Sequence, residues 1–279
     1  MFESSSIKLT ESSDLNQLID KKGALYFPNT QLTKNEFEAL VNRHTKQFSN
    51  NAERRVAFNK QNTMSSVDVG SQEIPLHSET SFSPAQPQLL WFYCSRAEIG
   101  NGKTTTYCNG HDLFQALSSS TKAFFLSNPA TYRAKILMPK RLFTGINKNS
   151  RPWNLSKVGA SEGVLDSNDE ALIFEYKKFV VEECPEGNLY FVNHLLPFFK
   201  KDEPQILDVL VDGQSIPTDI FEEIEQKAKE LTDGIIWSTT DIVVFDNKKY
   251  MHGRNALIDT EKREIILMQT KLRNRYIND

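Results

Sequence analysis

The last third of the chain carries three apolar segments, 234–238, 241–245 and 264–272, with no amphipathic helix between them. This clustering constrains the fold more than any other feature. A doubly wound sheet needs strands that alternate with helices, whereas strands that follow one another pair as antiparallel neighbours. Further strand candidates are 23–27, 89–94, 104–107 and 188–193, rich in aromatic, aliphatic and β-branched residues. One helix is expected from Thr33, where Thr33 and Glu36 form a capping box and Phe37, Leu40, Val41, His44 and Phe48 fall on one face. Others are expected over 111–126, stopping near Pro129, over 169–182, and over 219–231 with Gly234 beyond its end. Helices at the edges of consecutive strands predict an α+β unit built on an antiparallel sandwich.

Nothing in the composition divides the 279 residues, so one domain over 1–279 is expected. Residues 139–168 lack periodicity and are rich in Lys, Asn, Ser and Gly; they are either a lid or a surface insertion. Lys140, Arg141 and Arg151 fall in this stretch. With 33 basic and 36 acidic residues the formal charge is −3, which argues against nucleic acid or an anionic membrane as the main partner. Cys94, Cys108 and Cys184 form no CxxC pair, so neither a zinc ribbon nor a thioredoxin motif is supported. The start of the chain lacks a basic, then apolar, leader, and the longest apolar run, near 89–94, is too short to span a bilayer. A cytoplasmic protein is expected.

The five histidines are His44, His77, His111, His194 and His252. His44 lies on the apolar face of the first expected helix, and His111 and His194 have no partner pattern, so all three read as structural. His77 has Glu79 two residues on, and positions i and i+2 of a strand share a face. A neutral nitrogen and a hard anionic oxygen suit iron(II), and one further histidine completes three ligands with open positions opposite. The strand 241–245 runs through Asp246-Asn247 into Tyr250-Met251-His252-Gly253-Arg254, where Gly253 lets the backbone approach closely. Arg263, 11 residues after His252, could return along a hairpin and grip a carboxylate with its planar fork; alone, it reads equally as a surface ion pair.

Over nearly its whole length the chain resembles the taurine dioxygenase and clavaminate synthase-like superfamily of Fe(II)/2-oxoglutarate-dependent oxygenases. The resemblance is carried by 23–27 with Leu32-Thr33 and the helix, by His77-Ser78-Glu79-Thr80-Ser81-Phe82, by Asn101-Gly102-Lys103-Thr104, and by 237–254. It implies a double-stranded β-helix (jelly-roll) core with flanking helices. It also implies iron(II) held by His77, Glu79 and His252, and 2-oxoglutarate held by Thr104 and Arg263, with O2 as the second co-substrate. Thr104 stands 27 residues after His77, as the family's threonine does. The chain departs from the family in three places. Glu79 stands where aspartate is commoner, as in clavaminate synthase and free-amino-acid hydroxylases; Asn101 and Lys103 replace the usual turn residues; and Leu267 stands where the taurine enzymes place an arginine, which disfavours a sulfonate. The implied reaction oxidises a small amino acid or amino-acid-derived metabolite of secondary metabolism, by hydroxylation, desaturation or cyclisation, with release of succinate and CO2. Leu76 and Phe82 flank the ligand motif and read as pocket lining or as core. The alternative is a non-catalytic small-molecule-binding protein that keeps the fold. No oligomeric state is assigned.

Overall fold

The computed structural model describes residues 15–49, 55–68, 70–97, 102–137, 164–165, 171–201, 205–257 and 263–272. Most of the 139–168 segment, with Lys140, Arg141 and Arg151, lies outside the described residues, as do the first residues of the chain and Asn101.

Three expected apolar runs form the centre of a six-stranded sheet: Leu89–Arg96, Ile242–Asp246 and Glu264–Leu272. Leu89–Arg96 lies between the other two, and every pairing is antiparallel. Ala24–Phe27 pairs with Ile242–Asp246 at one edge, while Thr45–Phe48 and Ser65–Ser66 pair with Glu264–Leu272 at the other. Period-two alternation sorts the side chains. Leu89, Trp91, Tyr93, Val244, Ile266 and Met268 pack with Leu15, Ile19, Phe37, Leu40 and Val41, which come from the helices Leu15–Lys22 and Lys34–His44. Leu90, Phe92, Val243, Phe245, Ile265 and Leu267 turn to the other face and meet Tyr107, Ile235 and Trp237. A sheet covered on both faces reads as a continuous apolar run, as these strands do.

The second face belongs to a four-stranded antiparallel sheet in the order Asp233–Ile235, Thr105–Asn109, Tyr250–Arg254 and Ile74–His77. The two sheets thus share one apolar interior, and the chain is a mixture of helices and antiparallel sheets as expected. A further sheet, centred on Ala130–Leu137 between Ile206–Val211 and Ala171–Lys178, shares a separate core with the helices Gly110–Ala116, Ser119–Ser127 and Thr218–Leu231. Val164–Leu165, the described part of the 139–168 segment, pairs at its edge. No helix among the described residues is long and apolar enough to cross a membrane.

Several expectations need correction. The segment 169–182 is not a helix: Ala171–Lys178 is a strand paired along its length with Ala130–Leu137. From Phe174 onward its burial has period two, with Phe174 and Val180 buried while Glu175, Lys177 and Phe179 are exposed. The expected helix over 111–126 is two helices, because Leu117 and Ser118 are extended and the Ser118 side chain caps the second helix at the Thr121 N–H. The first expected helix keeps its capping box but stops at His44, and Phe48 lies in the strand that follows. The helix Leu15–Lys22 was not anticipated.

Candidate metal centre

His77 is the last residue of Ile74–His77, and His252 is the middle residue of Tyr250–Arg254. The two strands are adjacent and antiparallel, and His252 and His77 are cross-strand partners with ring centroids 4.3 Å apart. Gly253 makes the approach feasible. A Cβ there would stand 2.5 Å from the Ile74 carbonyl oxygen and 2.9 Å from Thr106 Oγ1, so only glycine fits. The register shifts between His252 and Arg254, an irregularity beside the site.

Glu79 reaches the same point by a different route from the one expected. The strand ends at His77, and Glu79 sits in the turn that follows. Its backbone is bracketed by Asn247: the Glu79 N–H donates to Asn247 Oδ1 (2.8 Å), and Asn247 Nδ2 donates to the Glu79 carbonyl (3.0 Å) and the Pro87 carbonyl (3.0 Å). Ser78 Oγ donates to the Asn247 carbonyl at 2.7 Å. Asn247 is itself fully buried, so each of these bonds satisfies a polar group that water cannot reach.

The outcome is a compact triad. Glu79 Oε2 lies 3.7 Å from His77 Nε2 and 3.7 Å from His252 Nε2. The candidate ligand atoms of all three lie within 4.8 Å of one another, and all three residues are buried. His77 Nδ1 contacts the Pro75 carbonyl at 2.8 Å. A carbonyl can only accept, so Nδ1 carries a proton, and Nε2 is the nitrogen that faces Glu79 and would be offered to a metal once deprotonated. The His252 ring packs against Phe92, with centroids 5.5 Å apart, and Phe245, at 6.4 Å.

Electrostatics separates the two imidazoles. Burial pushes His77 down, but the Glu79 carboxylate and the Pro75 carbonyl outweigh it and leave the group raised. Burial, then the nearby His77, holds His252 well below the ordinary histidine range. Burial pushes Glu79 up, yet the Arg55 guanidinium and the two histidines hold it well below the carboxylate range. Oε2 of this ionised group is buried and has no hydrogen-bond partner. Arg55 pairs with this carboxylate through Oε1, but Oε2 remains a buried acceptor without a donor, and a cation at the shared point of Oε2 and two imidazole nitrogens would satisfy it. Two nitrogens and one carboxylate oxygen on one side suit a divalent transition metal with open positions.

A narrow cleft, partly open to solvent, adjoins the triad. Val67, Ile74, Phe92 and Leu267 form its apolar walls, and Arg55, Asp68, Thr105, Arg254 and Arg263 its polar ones. Leu267 does occupy the wall, so no cation stands there. Arg263 also faces the cleft, donating from Nη2 to Thr105 Oγ1 at 2.8 Å. Thr105, not Thr104, is therefore the threonine beside Arg263. Neighbouring residues of an extended chain point to opposite sides, and Thr104 does not line the cleft; its carbonyl accepts from the Asn255 N–H (2.9 Å). By the same alternation Leu76 points away from His77. Leu76 and Phe82 belong to the core shared with Leu113, Phe125 and Met251 and do not line the cleft.

His194 has its ring 4.9 Å from that of His77 and contacts the Ser78 carbonyl through Nδ1 (2.9 Å), but it is not in the converging set. His44 stacks near Trp91, and His111 contacts the Leu189 carbonyl. Arg55, Asp68 and Asn247 were not singled out in the sequence. Asn247 follows a strand in the quoted motif and could have been; Arg55 and Asp68 lie in a polar stretch without periodicity that gives no signal.

Residues 3–270 match the family described as taurine catabolism dioxygenase TauD, TfdA family. A curated relative, 3-((Z)-2-isocyanoethenyl)-1H-indole synthase of Fischerella ambigua, is 22% identical over 204 residues, 69% of this chain and 61% of the relative. The chain thus spans about three-fifths of that protein's length. Among solved structures, PvcB from Pseudomonas aeruginosa superimposes with a TM-score of 0.57 at 15% identity, covering 94% of this chain and 81% of that one. A second PvcB structure, with a TM-score of 0.55 at 14% identity over 92% of this chain and 78% of the other, is of an Fe, alpha-ketoglutarate dependent oxygenase from an isonitrile synthetic pathway. A taurine dioxygenase from Burkholderia xenovorans gives a TM-score of 0.62 at 13% identity, covering 95% and 84%.

Proposed function

The chain belongs to the TauD, TfdA family of dioxygenases, and from that premise we propose that it is an Fe(II)/2-oxoglutarate-dependent oxygenase with His77, Glu79 and His252 as the iron ligands. The observation that carries this reading is the convergence of Glu79 Oε2 with the Nε2 atoms of His77 and His252 in a buried cluster. The two facing antiparallel sheets form the jelly-roll core of a single domain.

Iron(II) held by these three residues would supply redox chemistry toward 2-oxoglutarate and O2. The protein supplies position and dryness. Pro75 fixes the His77 tautomer, and Phe92 and Phe245 fix the His252 ring. Arg263 and Thr105 hold the far carboxylate of 2-oxoglutarate, the arginine by charge and the hydroxyl by a hydrogen bond. Val67, Ile74, Phe92 and Leu267 keep water from the reacting face.

The substrate is an amino-acid-derived metabolite, oxidised by hydroxylation, desaturation or cyclisation with release of succinate and CO2. The Fischerella relative's product supports this: an indole with a two-carbon unsaturated chain ending in nitrogen has the skeleton of decarboxylated tryptophan. Anaerobic addition of iron(II) and 2-oxoglutarate to the purified protein tests the class. A weak visible charge-transfer band is expected, and its absence in folded protein favours a binding protein that keeps the fold. Succinate release across a panel of amino acids and their N-modified derivatives tests the substrate.

A further inference from the structure

We propose that Arg55 is a positioning residue of the metal centre, taking Oε1 of Glu79 so that Oε2 alone is presented to the metal. The proposal rests on the metal reading given above and goes beyond it by assigning a role to a residue outside the ligand set.

Arg55 Nη2 donates to Glu79 Oε1 at 3.0 Å, and its Nε donates to Asp68 Oδ1 at 2.7 Å. The Arg55 and Glu79 side chains are only 7% and 5% exposed. The other oxygen of Glu79 has no hydrogen-bond partner and stands 3.7 Å from each histidine nitrogen. The two oxygens of one carboxylate are thus divided between an arginine and the triad. A carboxylate with both oxygens free can grip an ion with both and fill two positions, whereas an arginine on one oxygen leaves a single donor.

Backbone pairing holds Arg55 in place. Val56 exchanges hydrogen bonds with Ser66, its N–H donating to Ser66 Oγ (2.9 Å) and its carbonyl accepting from the Ser66 N–H (2.8 Å). Ala57 bridges Ser65, and Ser65–Ser66 pairs with Ile266 and Leu267 of the long central strand. A guanidinium beside a metal repels it, so charge alone would make Arg55 a liability. Asp68 compensates that charge, leaving orientation as the main effect of the pair.

The test is Co(II) uptake by the metal-stripped full-length protein under anaerobic conditions, read from visible absorption, for the wild type, Arg55→Lys, and the double variant Arg55→Gln with Asp68→Asn. The double variant removes both charges together, so the local net charge is unchanged and only the positioning is lost. Its Co(II) affinity is expected to fall about 10–100-fold, the usual effect of removing a partner that orients a ligand, with a changed Co(II) spectrum. Arg55→Lys, which keeps the charge but loses the fork, should fall between. A double variant with native circular dichroism and wild-type affinity and spectrum overturns the proposal. If the double variant does not fold, an unchanged affinity and spectrum in Arg55→Lys overturns it instead. Wild-type protein that takes up no Co(II) sinks the metal reading itself, and this inference with it.

Discussion

His252 and His77 face each other as register partners on adjacent antiparallel strands, their rings 4.3 Å apart, although 174 positions separate them in the chain. Replacing either by alanine should abolish metal binding without unfolding the sheet. In the wild type, a metal at about 100 times its Kd adds about 2.7 kcal/mol to stability. The thermal midpoint should therefore rise by several degrees on adding Mn(II). That shift should vanish in both variants, and a shift retained in either removes that histidine from the site.

Thr105 and Thr104 give opposite predictions. A hydrogen bond to a charged group is worth about 1.5–3 kcal/mol, so Thr105→Val should raise the 2-oxoglutarate requirement roughly 10–100-fold. Thr105 Oγ1 also accepts from Trp237 Nε1 at 2.9 Å, so some stability is lost as well. Thr104→Val should leave the 2-oxoglutarate requirement close to wild type. Arg263→Ala should raise it most while sparing metal affinity. Co-substrate titrations of the three variants, read by the charge-transfer band, check the order.

The split between the two imidazoles sets the pH dependence of metal binding. Burial pushes His252 well down, whereas at His77 the Glu79 carboxylate and the Pro75 carbonyl outweigh burial and leave it raised, so His77 is the imidazole whose proton competes more strongly with a metal. Metal affinity should climb as pH rises through and somewhat above the usual histidine range, with release of about one proton rather than two. Calorimetry in buffers of different ionisation heat measures the number, and release of two protons contradicts the assignment.

Asn247 should matter to stability as much as to the site. Asn247→Ala strands the Glu79 N–H and carbonyl and the Pro87 carbonyl in a dry interior. Unsatisfied buried groups cost about 1–3 kcal/mol each, so a loss of about 3 kcal/mol or more is expected from urea unfolding. A loss under 1 kcal/mol would show that water or a rearranged turn replaces the side chain.

Gly253→Ala tests close approach. Its Cβ would collide with the Ile74 carbonyl, which is backbone and cannot swing aside. Overpacking of this kind costs about 1–3 kcal/mol, and here it would also pry the two histidine strands apart. Stability and the metal-induced thermal shift should fall together.

The central sheet was legible because its strands are buried on both faces, so Leu89–Arg96 and Ile242–Asp246 stand out as unbroken apolar runs. Ala171–Lys178 was misread because Leu172, Ile173, Phe174 and Tyr176 fit helical spacing as well as alternation; pairing with Ala130–Leu137, a long-range fact, decides between them. The positions of His77, Glu79 and His252 could be read from two motifs, but the turn that carries Glu79 could not, since it depends on Asn247 from the far end of the chain. That Thr105 rather than Thr104 lies beside Arg263 was hidden for a related reason. Spacing counts residues, while the facing side is set by where the strand begins, and it begins at Thr105.

Arg254, two residues beyond His252, donates from Nη1 to the Asp68 carbonyl at 2.6 Å and from Nη2 to the Gln72 carbonyl at 2.9 Å. One strand therefore both carries a proposed ligand and ties down Asp68 and Gln72 beside the cleft. The wall of the cleft and the proposed metal centre thus hang on the same strand, so a substitution at Arg254 is expected to disturb both together.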